Sequence, residues 1–193
     1  MSAALLTVLA VLLTAASPLG GYVVPTPIGA GAAYHPAAWG TAVAQRRSVA
    51  GLRCRATGGP RYGVHLELFA RRRVVIVPAG IGVAPPWTRD GVYVERGDCS
   101  YAARTRKPTG VIETVAGTTI SLGDFFDLWG QPLGRTRLAG FRTNAASPVR
   151  AYVDGRRWRR DLRAIPLRRH AEIVLELGAF VPPHPSYRFE RGL

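Results

Sequence analysis

Thr119-Ile120-Ser121-Leu122-Gly123-Asp124-Phe125-Phe126-Asp127-Leu128-Trp129-Gly130-Gln131-Pro132 is where helix signals of every kind agree in this chain. Ser121 is a good N-cap, and Asp124 three residues on completes a capping-box-like S-x-x-D while placing negative charge at the positive end of the helix dipole. Leu122, Phe125, Phe126 and Trp129 fall at i, i+3, i+4 and i+7 and form one apolar stripe, and Gly130 followed by Pro132 supplies the stop. A helix of two to three turns is marginal alone, so something must cover those aromatics, and the flanking sequence offers strands.

Working outward, 193 residues suffice for one domain with appendages. With 15 Pro and 22 Gly the chain is rich in turns and poor in helix, which excludes an all-helical fold. Of the 26 Lys and Arg residues only Lys107 is lysine, and the net charge is +14. The arginine bias marks a GC-rich genome as readily as a ligand, but a pI near 11.2 draws a domain towards polyanions whatever its origin. No helix-turn-helix, zinc-finger or aromatic RNA-binding signature accompanies the arginines, so specific nucleic-acid recognition is not expected.

No charged side chain precedes Arg46, and Ala3 to Ala16 is an almost unbroken apolar run. Fourteen helical residues span about 21 Å against the roughly 30 Å of a bilayer core. Residues 1–24 therefore read as a cleaved signal peptide or a retained membrane anchor, with Thr14-Ala15-Ala16 before Ser17 as the small residues a signal peptidase reads. Residues 25–50, rich in Pro, Gly and Ala, read as a tether. In the domain at 51–179, Val64, Leu66 and Leu68 alternate with His65 and Glu67. A turn at Arg71-Arg72-Arg73 leads to Val74–Val77, which Pro78 stops. Short strands are expected at Val92-Tyr93-Val94 and over Thr109 to Val115. Beyond Pro132 the chain reads as irregular until Val149, Ala151 and Val153 resume alternation, and Asp154-Gly155 is a strong two-residue hairpin turn. Ile173, Leu175 and Leu177 then alternate with Glu172, Val174 and Glu176. The Pro-rich tail at 180–193 should lie extended over the domain. The expected fold class is α+β: a small mixed sheet with one short helix packed on it in a β-grasp (ubiquitin-like) layout, the alternative being a β-sandwich with a helical insertion.

Val77 to Gly82, Thr109 to Thr114 and Ile120 to Gly130 resemble a family of uncharacterised exported proteins, mostly of actinobacteria, with a "VPAGIG" strand, a "TGxIxx" strand and a "TLGxFFxxWG" helix. The resemblance implies export and no known activity. Relatives carry a histidine-rich "HTHD" before the second strand, which suggests metal binding. This chain has Ala103-Arg104-Thr105-Arg106-Lys107-Pro108 there, so that property does not carry over.

Nothing in the sequence matches a nucleophile elbow, an H-E-x-x-H, a phosphate loop or a dinucleotide fingerprint, so no catalytic, cofactor-binding or metal-binding residue is named and an enzyme is not expected. The histidines, His35, His65, His170 and His184, are nowhere at ligand spacing and read as ordinary surface residues; a metal site would need His65 with a partner from elsewhere. Three functions stay open. The first is an exported, non-catalytic interaction or structural module of the cell envelope, secreted or anchored on the extracytoplasmic side with an envelope partner or anionic surface. The second is a polyanion binder using Arg71, Arg72, Arg73, Arg104, Arg106, Arg156, Arg157, Arg159, Arg160, Arg168 and Arg169. The third is an exported metal-binding protein. Export also decides the cysteines: in an oxidising compartment the two have one intramolecular pairing, so Cys54 is expected to bond Cys99.

Overall fold

The computed structural model describes residues 32–34, 41–45, 47–55 and 58–193; the expected signal or anchor at 1–24 and His35 lie outside them. The main sheet has eight strands: β1 (Ala32–Tyr34), β2 (Arg61–Ala70), β3 (Arg73–Val75), β4 (Ala103–Arg104), β5 (Val111–Val115), β6 (Arg150–Val153), β7 (Arg156–Trp158) and β8 (Glu172–Leu177). Their order is β1-β3-β2-β8-β6-β7, and β5 also pairs with β2 and carries β4. The ten residues of β2 are long enough to serve two neighbours on one edge. Arg61 to His65 pair with β5, and Phe69 and Ala70 with β3. Its other edge runs parallel to β8, His65 opposite Glu172 and Glu67 opposite Val174.

The alternation read in β2 and β8 sorts side chains to two faces. Val64, Leu66, Leu68, Ile173, Leu175 and Leu177 meet the helix α1 (Leu122–Trp129) in the main core, where Phe125, Phe126 and Trp129 are fully buried. The helix is built as its residues dictate. Ser121 Oγ accepts from the Asp124 amide, an Asp124 carboxylate oxygen accepts from the Ser121 amide at 2.8 Å, and Gly130 closes the helix in the left-handed region. A 3-10 turn at Leu162–Ala164 braces its start, the Leu122 amide donating to the Ile165 carbonyl at 2.7 Å.

The opposite face carries a smaller apolar cluster of Phe69, Val74, Ile76 and Val174 with Val181, and the C-terminal segment crosses it. Phe180 packs edge-on to Tyr152, and Phe189 stacks on His170. Gly63 makes room for that crossing, since a Cβ there would lie 2.4 Å from the Phe189 ring. The sheet is thus sandwiched between a helix and an extended strap.

Two stretches depart from the sequence reading. Of the expected tether, Ala32–Tyr34 pairs in parallel with β3, a helical turn forms at Thr41–Ala44, and Val43 and Val49 are buried. β3 would otherwise leave a bare edge, and an unpaired edge recruits whatever chain is nearby. Past Pro132 the chain is not irregular. Leu133–Gly134, Arg137–Leu138 and Phe141–Arg142 form a three-stranded antiparallel sheet that buries Leu138. Cys54 and Cys99 are joined in a disulfide, and Arg55 and Ser100 exchange backbone hydrogen bonds beside it.

Candidate functional site

Because β2 and β8 run parallel and in register, the polar residues of each fall on the same face, side by side. His65, Glu67 and Glu172 come together there, one donor atom from each lying within 4.8 Å of the others. The sequence reading placed His65 and Glu67 on a polar face but took His65 for a surface residue. It is 4 % exposed, with Glu67 at 7 % and Glu172 at 1 %, because the strap roofs the polar face. The Tyr187 ring lies flat on the imidazole, with centroids 3.7 Å apart.

Hydrogen bonding fixes the imidazole's protonation. Nε2 lies 3.0 Å from the Thr109 carbonyl, which can only accept, so Nε2 carries a hydrogen. Gly110, with φ of +79°, lets that loop approach, since a Cβ there would meet the Leu66 carbonyl and the His65 ring. Nδ1 is left facing Glu172, with the two carboxylate oxygens at 2.8 and 3.0 Å. Burial raises the Glu172 pKa above its usual value, and the His65 hydrogen bond offsets this in part. The pair therefore holds a proton between them. Asp154 steadies the carboxylate's backbone by accepting from the Glu172 amide at 2.9 Å.

Glu67 is the less satisfied partner. Its Oε2 accepts from His184 Nδ1 at 2.9 Å, while Oε1 is buried with no hydrogen-bond partner among the described residues. An unpaired buried carboxylate oxygen is costly. A narrow cleft of about 40 Å³ between His65, Phe69, Ile76, Pro108 and Tyr187 leads to the cluster, room for about three or four waters at about 10 to 15 Å³ each.

The arrangement has the chemistry of a cation site. An imidazole whose far N–H is tied to a backbone carbonyl, with Nδ1 turned to one carboxylate and a second carboxylate nearby, is how metal-ligating histidines are oriented. Donors at about 2.0 to 2.2 Å from a common ion lie no more than about 4.4 Å from one another, so the three, now within 4.8 Å, would close in slightly around an ion. The sequence carried half the signal, a histidine and a glutamate two apart on a strand. The partner Glu172 lies 107 residues on and could be found only from strand order.

The eleven arginines read as polyanion contacts do not form one surface. Arg71, Arg72 and Arg73 follow the C-terminal end of β2, whereas Arg168 and Arg169 precede the N-terminal end of its parallel neighbour β8. Arg104 and Arg106 grip the buried Glu113, beside Arg61, whose pKa is lowered to about 10 chiefly by burial and then by Arg104. Arg169 lies over Tyr62, Arg168 is 3.6 Å from Asp154, and Arg156 is exposed at the start of β7. Arg157, Arg159 and Arg160, joined by Arg135, line one open groove of about 500 Å³ next to Trp158.

Compared with protein-family models, with curated proteins and with solved structures, the chain matches none. Among the described residues no helix is long and apolar enough to cross a membrane.

Proposed function

We propose that this chain is a non-catalytic, exported module of the cell envelope whose working feature is a divalent-metal site formed by His65, Glu67 and Glu172. The observation that carries the reading is the buried, unpartnered Oε1 of Glu67 beside an imidazole whose Nδ1 is paired with a second carboxylate. Two carboxylates and a neutral imidazole sum to a charge of −2, which a divalent ion neutralises at the place now held by a proton. Mixed nitrogen and oxygen donors favour ions such as Zn(II), Co(II) or Mn(II) over Ca(II), which takes six to eight oxygens. The disulfide supports export, being at home in an oxidising compartment. We read the fold as β-grasp. Supporting this are the central order β3-β2-β8-β6-β7, with the first hairpin and last strand adjacent and parallel, and the helix that precedes the second hairpin.

Calorimetric titration of the full chain with ZnCl2 tests the site. One equivalent should bind, and Glu67→Gln and Glu172→Gln should each weaken binding severely. At a free Zn(II) concentration of about one hundred times the dissociation constant the fold should gain about 2.7 kcal/mol. A chain that takes up no Zn(II), Co(II) or Mn(II) and shows no thermal shift with any of them refutes the reading.

A second reading concerns the groove beside Trp158. Arg135, Arg159 and Arg160 are exposed there, and no hydrogen bond or ion pair holds their guanidinium groups among the described residues. It would suit an anionic polymer of the envelope, with an affinity that falls steeply as salt rises. Affinity for polyphosphate that is the same at low and high salt counts against it.

A further inference from the structure

We infer that His184 of the C-terminal strap is the fourth ligand of the site, so that the metal closes its own coordination sphere and fastens the strap to the sheet; this rests on the metal reading above. Three protein donors leave a tetrahedral ion one open position, the mark of catalytic sites, whereas structural sites are closed by a fourth side chain. His184, which stands outside that group of three but touches one of its members, could reach the fourth position by turning. Its Nδ1 is already 2.9 Å from Glu67 Oε2, and the side chain is 38 % exposed, leaving it room to turn. With the ion in place, the nitrogen that now donates to Glu67 would present its lone pair to the metal that Glu67 binds, its hydrogen moving to Nε2. A His2Glu2 set would result, next to the Tyr187 ring stacked on His65.

The strap's other contacts are spread along its length: the Val181 amide on Glu176 at 3.1 Å, Glu190 paired with Lys107, the Leu193 carbonyl on His170 Nε2 at 2.7 Å, and the rings of Phe180, Tyr187 and Phe189 laid on Tyr152, His65 and His170. Those near its end lie at the surface, with His170 and Glu190 exposed, so an ion gripping both His184 and the sheet would add a fastening that water does not reach as easily.

Trypsin reads the docking directly, because Arg188 and Arg191 lie in the strap. Cleavage there, followed by mass in the full chain, should slow at least about tenfold when Zn(II) is raised from zero to about ten times its dissociation constant. His184→Gln should bind Zn(II) at least about tenfold more weakly and lose that protection, and Co(II) in the native chain should give the intense visible bands of a four-coordinate ion. If Zn(II) binds the native chain and His184→Gln with equal affinity, the fourth-ligand assignment is wrong while the three-residue site stands. If the native chain binds no Zn(II), both fall together.

Discussion

Tyr62, Tyr93, Tyr101 and Tyr187 are each shielded enough that burial raises the phenol pKa above 10.0. Two of them spend the hydroxyl on a backbone carbonyl, Tyr62 on Leu167 at 2.8 Å and Tyr101 on Arg47. A group whose folded pKa is raised contributes stability in full below its unfolded pKa and loses it as pH climbs through the folded value. Arg61 acts in the other sense. Its charge is carried at a cost at every pH below about 10, and that cost eases only above it. Above pH 10 the four phenols therefore lose stability while Arg61 regains some. Tyrosinate absorbance of the folded protein should lag that of the unfolded chain. Superimposable tyrosinate titrations of the two states would contradict this. At the same scale, the sequence revealed that His65 and Glu67 share a face, because strand alternation is local. It did not reveal that the face is buried, because the Glu172 neighbour and the Tyr187 roof come from the far end of the chain.

The helix Leu122–Trp129 was readable in full because cap, stripe and stop lie within fourteen residues, and its energetics follow from the same residues. Removing the fully buried ring of Phe126 or Trp129 as Ala should cost about 3 to 5 kcal/mol, and Ser121→Ala about 1 kcal/mol through the lost cap. Urea unfolding monitored by far-ultraviolet circular dichroism measures both; a Trp129→Ala protein as stable as the parent would mean that the stripe is not core. Two of the tight turns make an instructive contrast. Asp154-Gly155 has φ of +51° and +74°, as its composition foretells, but Arg71 and Arg72 adopt +51° and +63° without a glycine. Holding an arginine in the left-handed region costs about 1 kcal/mol, so Arg72→Gly should raise stability by about that amount. The meander at 133–142 escaped reading because two-residue strands have no period to detect.

For the molecule as a whole, Cys54–Cys99 closes a loop of 45 residues and ties the start of the domain to the segment leading into β4 and β5. On the chain-entropy model its loss should cost about 4 kcal/mol. Intact mass without reductant should show no alkylatable thiol, and Cys54→Ser/Cys99→Ser should melt well below the native chain. The sheet's central pair has a consequence in time as well as in space. β2 cannot find β8 until residues more than a hundred positions downstream have been made, since His65 and Glu172 are 107 apart. Loop closure on that scale puts such a topology among slower folders, about milliseconds to seconds. Until then β2 has a bare edge and the helix has little of its sheet to cover its aromatics, so the nascent chain stays loose and threadable. On the export reading proposed above, that delay keeps the polypeptide fit to pass a translocation channel before the last strand snaps the sheet shut.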